Sequence, residues 1–181
     1  MNIQKFGIKI FIDNNGGYSS KSLIPIFHKW IQNKSISDHL LIDVADYSHM
    51  VDGPGVMLIA HEGHFSLDQE GHQVGIMYMR KTDLDGDFCK RFNTILSITI
   101  NTAKLLLDNN LNFITNSFRF IANDRLHAEN TFENQNLYKQ EIQKVLKNRF
   151  PNSKVDYEDI SSGEERLAFL VKFDELTNIL R

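Results

Sequence analysis

The chain has 181 residues, of which 41% are hydrophobic and 24% are charged, the composition of an ordinary globular protein. Its 20 basic and 23 acidic residues give a net charge of −3, and the scattered basic residues form no stripe of the kind that binds nucleic acid. The single cysteine, Cys89, excludes an intramolecular disulfide. No apolar run approaches the roughly 18 residues of a membrane span. We therefore expect a soluble, cytoplasmic protein with no nucleic-acid or membrane partner.

The first part of the chain combines alternating apolar segments with one helical stripe. Alternation predicts strands, whereas a spacing of three to four residues predicts a helix. In the first strand Ile8 and Ile10 share one face, and Lys9 lies on the other. We expect strands at about residues 5–13, 39–45, 55–62 and 74–80, with a polar loop between the last two. A helix after the first strand carries Leu23, Phe27, Trp30 and Ile31 on one side.

The second part begins with the longest predicted element, a helix of about 21 residues. Asp85 is its expected N-cap, and its apolar stripe runs from Phe88 to Leu107. Further along the chain, the sequence predicts a strand ending at 118–121, a helix at about 132–149, strands at about 154–160 and 166–173, and a short terminal helix capped by Asp174.

This order predicts an α+β protein with a mixed, mainly antiparallel sheet and helices packed mainly on one face. Both halves contain a strand that runs into a polar loop, first at 13–15 and again at 123–125. The pattern is compatible with a degenerate internal duplication of a βαββα unit. We interpret the chain as a single domain, 1–181, with pseudo-repeat halves 1–110 and 111–181.

A first cluster of polar residues is expected where two strands end. If a right-handed crossover makes the first two strands parallel, Asp13, Asn14 and Asn15 lie near the end of the second strand, close to Asp46 and His49. A histidine beside a carboxylate can act as an oriented general acid or base. Asp46 and His49 are therefore the candidate catalytic pair. The alternative is an ordinary tight turn, which uses the same residue types.

A second cluster consists of His61, Glu62, His64 and His72. Imidazoles and carboxylates are ligands of divalent transition metals, so these four residues are a candidate metal site. On a strand, His61 and His64 point to opposite faces, so the site needs a bulge at Gly63. A solvated loop that happens to contain histidines is the alternative.

The loop formed by Asn123, Asp124 and Arg125 is the counterpart, in the second half, of the loop 13–15. A guanidinium can bind a carboxylate or a phosphate through two parallel hydrogen bonds. We therefore group Asn123, Asp124 and Arg125 with the residues of the loop 13–15 as candidate ligand-binding residues. The alternative is a loop that starts a helix, in which Asp124 pairs with a nearby residue.

The sequence contains no P-loop, no GxGxxG and no GxSxG motif. It therefore favours a domain that binds a small molecule or a protein partner, as a homo-oligomer that assembles through a sheet edge or through the long helix. The alternative is a small enzyme that uses acid–base chemistry at Asp46 and His49, with a divalent metal at the second cluster. A third hypothesis is pH sensing by histidines that titrate together.

Overall fold

A computed structural model of the protein describes residues 2–13, 19–109, 111–162 and 164–181. In this part of the chain the helices are α1 (Leu23–Asn33), α2 (Phe88–Leu107) and α3 (Phe132–Arg149). The strands are β1 (Phe6–Phe11), β2 (Leu41–Tyr47), β3 (Gly55–Ala60), β4 (Gly63–Asp68), β5 (Gly75–Arg80), β6 (Ser117–Ala122), β7 (Val155–Asp159) and β8 (Ala168–Phe173). None of the described helices combines the length and the apolar composition that a membrane span needs.

The described strands form one sheet with β1 near its centre. Their order is β2-β3-β4-β5-β1-β6-β8-β7, and each neighbouring pair is antiparallel. The predicted α+β class is confirmed, and the described sheet is antiparallel throughout rather than mixed. The first two strands run in the same direction, as the crossover hypothesis requires, but they are not neighbours, because β3, β4 and β5 lie between β1 and β2.

Both halves of the chain use a similar path. In each half a first strand leads to a helix, and the strands that follow return step by step to the first strand. The first half runs through β1, α1 and then β2 to β5, and the second through β6, α3 and then β7 and β8. The two first strands, β1 and β6, are antiparallel neighbours. A duplicated unit with two extra strands in its first copy has this order, although duplication itself stays a prediction.

The two sides of the sheet differ in what covers them. On the side that we call the helix face, buried side chains of β1 such as Phe6 and Ile8 join the apolar residues of all three helices in one core. Burial of this apolar surface is the main contribution to folding. On the other side, the open face, a small buried cluster comes from strands alone and contains Met77, Met79, Ile121 and Ala168.

Three local predictions are wrong. The predicted polar loop contains β4, whose Phe65 and Leu67 are buried in the helix-face core. The N-cap of α2 is Asp87 rather than Asp85, and its side chain accepts a hydrogen bond from the backbone of Lys90 at 2.8 Å. The C-terminal residues form turns instead of a helix, since Asp174 accepts hydrogen bonds from Lys154 and Thr177.

Candidate functional site

The first cluster is dispersed along one end of the sheet. β1 and β2 run in the same direction, but with four strand spacings of about 4.8 Å between them, Asp13 lies roughly 19 Å from the end of β2. Asp13 therefore does not join Asp46 and His49. Asp13 instead lines a cavity of about 300 Å³ together with His72. Asn14 and Asn15 lie outside the described residues.

The predicted catalytic pair lies at the exposed end of the edge strand β2. Asp46 Oδ1 accepts a hydrogen bond from the backbone N–H of Ser48 at 2.9 Å, and hydrogen bonding from Ser48 lowers the pKa of Asp46. Among the described residues, no hydrogen bond joins Asp46 to His49. The carboxylate is thus engaged in its own turn rather than orienting the imidazole.

The second cluster is divided between the two ends of β4. His61 and Glu62 form the turn before this strand, His64 lies on it, and His72 follows it. Six strand residues at about 3.3 Å each place His72 roughly 20 Å from His61. Glu62 accepts a hydrogen bond from the backbone of Leu40 at 2.8 Å. In the described part of the chain, no three histidine, cysteine or acidic side chains are grouped as metal ligands. The four predicted ligands are not brought together.

The loop 123–125 lies at the end of the sheet opposite to Asp13, because β1 and β6 are antiparallel. Asp124 contacts the ring Nδ1 of His127 at 2.8 Å and accepts a hydrogen bond from its backbone N–H at 3.3 Å. This geometry matches the alternative in which Asp124 organises a loop before a helix. Asn123 Oδ1 accepts a hydrogen bond from Arg166 at 3.4 Å, and Arg125 lines a cavity on the open face.

A buried ion pair between Lys9 and Asp68 lies on the open face of the sheet. Lys9, on the central strand, places Nζ 2.6 Å from Asp68 Oδ1, and the two side chains are 0% and 3% exposed. Burial lowers the pKa of Lys9 and raises the pKa of Asp68, while their mutual attraction opposes both shifts. The lysine stem crosses over Gly75, where a Cβ atom would lie 2.9 Å from Lys9 Cγ. Only glycine at this position leaves room for the pair.

We call residues 69–73, which follow β4, the strap. The strap lies against the buried lysine, because the backbone oxygen of Glu70 accepts a hydrogen bond from Lys9 Nζ at 3.0 Å. The N–H of Gly71, which has a φ of +76°, donates to Asp52 Oδ1 at 2.8 Å. The turn around Asp52 thus anchors the strap, a structural role that the sequence did not indicate.

The strap forms one wall of what we call the open-face cavity, which has a volume of about 500 Å³. Phe11, Ile121 and Leu170 contribute apolar side chains to it. The charged residues that line it are Asp52, Glu70, Arg119, Arg125, Glu158, Glu165 and Arg166.

Each acid in this lining already has a partner. Two acids form ion pairs: Glu70 binds Arg166 at 2.8 and 2.9 Å, and Glu158 pairs with Lys172. The other two accept hydrogen bonds from backbone N–H groups, Asp52 from Gly71 and Glu165 from Ser162 at 2.7 Å. Glu70 and Glu158 are thus paired with cations, whereas Asp52 and Glu165 keep their negative charge.

Arg119 and Arg125 are the two arginines of the cavity that make no ion pair in the described structure. Among the described residues, neither guanidinium takes part in a hydrogen bond or an ion pair, and Arg119 Nε is buried without an acceptor. Arg119 extends toward the strap, since its Nη1 lies 3.4 Å from the position of a Cβ on Gly71. Planar guanidinium groups with free N–H bonds have the chemistry to bind a carboxylate or a phosphate.

No model of a known protein family matches the chain, and no curated protein matches it. Of the predicted ligand-binding residues, Arg125 lines the open-face cavity. Asn123 contacts Arg166, which also lines this cavity. The sequence analysis missed Arg119 and the buried Lys9. Each of these two residues is a charged residue in the middle of an otherwise apolar strand, and this pattern was the signal that could have identified them.

Proposed function

We propose that the protein binds a small organic anion, carrying a carboxylate or a phosphate group, in the open-face cavity. The observation that carries this proposal is Arg119, whose buried Nε has no acceptor among the described residues and whose side chain shares the cavity with Arg125. A desolvated donor without an acceptor costs about 1–3 kcal/mol. An anion that accepts hydrogen bonds from Arg119 and Arg125 offsets this cost.

The cavity also suits the rest of such a molecule. Its volume of about 500 Å³ falls within the range of sites that bind small molecules, roughly 300–1,000 Å³. The partly exposed side chain of Leu170 and that of Phe11, which is 5% exposed, offer some apolar surface for a carbon skeleton. These features favour an organic anion over a simple inorganic ion.

Thermal unfolding in the presence of succinate, glycerol 3-phosphate or inorganic phosphate tests the proposal, since a ligand of the folded state raises the midpoint. We expect an organic probe to stabilise the protein more than inorganic phosphate does. Arg125→Gln should weaken binding about tenfold or more, the usual effect of losing a hydrogen bond to a charged group. Arg181→Gln, which removes an exposed arginine outside the cavity, is the matched control. Equal affinity of the Arg125→Gln and Arg181→Gln variants contradicts the proposal.

A second proposal concerns self-association through β2. This edge strand and its flanks expose apolar side chains, including Leu40 at 64% and Ile42 at 55%. β2 also exposes two acids, but the opposite edge, β7, exposes three of its five side chains, all three of them acids, which discourage pairing between strands. An apolar edge strand with unpaired backbone groups favours a second copy of the chain as its partner. We propose a homo-oligomer on this basis.

Sedimentation velocity tests the oligomer. Ile42→Lys should convert it to a monomer because the substitution places a charge in the pairing edge. Leu176→Lys changes a side chain that is 93% exposed elsewhere, so it should leave the assembly intact. A wild-type protein that sediments as a monomer, or an Ile42→Lys variant that sediments as the wild type, contradicts the proposal.

The enzyme alternative has less support. Asp46 and His49 are not joined by a hydrogen bond in the described structure, and His72 lies far from the other three predicted metal ligands. A cytoplasmic location is also a proposal, supported by the use of one unpaired cysteine rather than disulfides.

A further inference from the structure

A second cavity lies on the opposite side of the sheet from the proposed site. This helix-face cleft has a volume of about 460 Å³ and lies between α2 and the segment 35–39 that precedes β2. Its α2 wall carries mainly uncharged hydrogen-bonding side chains, among them Asn93, Ser97, Asn101 and Thr102. Arg80, at the end of β5, also lines the cleft, although the residue is only 8% exposed.

Arg80 uses only part of its hydrogen-bonding capacity. Its Nε donates to the backbone oxygen of Thr82 at 2.9 Å, Nη1 donates to the hydroxyl of Tyr78 at 3.2 Å, and Nη2 donates to the backbone oxygen of Asp83 at 3.4 Å. A guanidinium has five N–H bonds. One N–H on each terminal nitrogen therefore has no acceptor among the described residues.

Arg80 also makes no ion pair among the described residues, although the carboxylate of Glu62 acts electrostatically on the Tyr78 hydroxyl that Arg80 contacts. Every ion pair in the described structure involves other residues, and the acceptors that Arg80 contacts are all neutral. The acidic residue in the described lining is Asp38, which is exposed and makes no ion pair with Arg80. Arginine stays protonated even when it is buried, so its charge cannot be removed by deprotonation. A buried charge of this kind is stabilised by an anion that enters from the cleft.

A hydrogen-bond chain fixes the position of the guanidinium. His39 Nδ1 lies 3.0 Å from the backbone oxygen of Ser37, which can only accept, so Nδ1 carries a proton. In the neutral ring, Nε2 then accepts the hydrogen bond from the Tyr78 hydroxyl at 2.8 Å. The Tyr78 oxygen in turn accepts from Arg80. The free N–H groups are thus held in place before a ligand arrives, which reduces the entropy lost on binding.

We infer that the helix-face cleft is a second anion site, in which Arg80 binds the carboxylate or phosphate of a small hydroxylated molecule. The side-chain amide of Asn101, which has no hydrogen-bond partner among the described residues, provides a partner for a hydroxyl group of the ligand. Its neighbours on α2 are already engaged, since Asn93 and Ser97 accept hydrogen bonds from Arg149. The site is independent of the proposed function, because the sheet separates Arg80 from Arg125.

Titration of ¹⁵N-labelled protein with glycerate and, separately, with inorganic phosphate tests this inference by NMR. The Arg80 Nε–H signal and the backbone amide of Thr102 should shift together and saturate with one Kd. Asn101→Asp places a negative charge on the exposed wall of the cleft and should raise that Kd about three- to tenfold. Asn152→Asp makes the same change in an exposed turn outside the cleft and should leave the Kd unchanged.

Arg80→Lys keeps the charge but removes the planar pair of donors, and it should weaken binding further than Asn101→Asp does. If this buried substitution unfolds the protein, the comparison of Asn101→Asp with Asn152→Asp still decides the result. Binding that persists in Arg125→Gln supports a separate site. Absence of shifts at Arg80 with both probes, an unchanged Kd in Asn101→Asp, or loss of the Arg80 shifts in Arg125→Gln overturns the inference.

Discussion

Lys9 Nζ and Asp68 Oδ1 lie 2.6 Å apart although they belong to strands separated by β5. Gly75 on β5 makes this contact possible because it has no side chain between them. Lys9 is also the register partner of Arg119 on β6, so two cations lie side by side on the open face. Asp68 neutralises the first of them. Arg119 makes no ion pair in the described structure and lies at the wall of the open-face cavity.

Removal of the lysine from this pair should strongly destabilise the fold. Lys9→Met leaves the Asp68 carboxylate buried and unpaired, which we expect to lower the free energy of unfolding by about 3–5 kcal/mol in urea denaturation. Lys172→Met breaks the pair with Glu158, whose side chains are about half exposed, and should cost less than about 1 kcal/mol. Similar losses in the two variants contradict the assignment of a buried pair. Lys9→Met with Asp68→Leu should recover part of the loss.

Arg119→Met should have the opposite effect on the protein without ligand. Met preserves much of the apolar stem and removes a buried Nε that has no acceptor, so the free energy of unfolding should rise by about 1 kcal/mol. Arg125→Met changes an exposed side chain and should shift stability by less than about 0.5 kcal/mol. Both variants should lose anion binding. A clear destabilisation by Arg119→Met without ligand would show that an intramolecular partner engages this arginine.

His64 should make stability depend on pH. Its Nδ1 is buried without a partner among the described residues, and burial, aided by the nearby charge of Lys81, lowers the pKa of His64. The unfolded chain, with a histidine pKa of about 6.5, therefore binds this proton more readily than the folded protein. The free energy of unfolding should fall as the pH drops through this value, and the loss is complete below the folded pKa.

Urea denaturation between pH 8 and pH 5 measures this dependence. His64→Gln should flatten the slope, whereas His28→Gln, which replaces an exposed histidine on α1, should retain it. Identical slopes in the two variants would rule out His64 as the source.

Cys89 should react slowly with alkylating reagents. Burial, together with a hydrogen bond from Sγ to Glu141 at 3.2 Å, raises the pKa of Cys89 to about 11. The thiolate is the reactive species, so iodoacetamide at pH 8 should modify the folded protein roughly 100-fold more slowly than the unfolded chain. Glu141→Gln should accelerate the reaction, while Glu133→Gln at the exposed start of α3 should not. Equal rates in the folded and unfolded states contradict this prediction.

Local periodicity was sufficient to predict most elements of the fold. The apolar stripe of α2 and the helix at 132–149 follow from side chains that pack on a single core. β4 was missed although Phe65 and Leu67 alternate with His64, Ser66 and Asp68, the pattern of a half-buried strand, because the polar residues on both sides of the segment suggested one continuous loop. Its polar side lies on the open face, where Asp68 meets Lys9.

The candidate site was less predictable because it depends on the order of strands in the sheet. Lys9 and Asp68 are 59 residues apart in the sequence. The alternation of side chains in the first strand predicted the face on which Lys9 lies, but it could not identify the partner of Lys9. Arg125 was predicted from its loop, yet Arg119 gained its place only through the pairing of β6 with β1. The first cluster failed to assemble for the same reason, since three strands separate β1 from β2.

The most direct test of anion binding in the open-face cavity follows the Arg119 Nε–H signal by NMR while an organic anion that stabilises the protein is added. At concentrations that saturate the thermal shift, we predict that this signal moves and exchanges more slowly with water, because the ligand engages a guanidinium that has no other partner. A signal that stays unchanged while the anion saturates the protein would contradict the account, since the anion would then bind elsewhere.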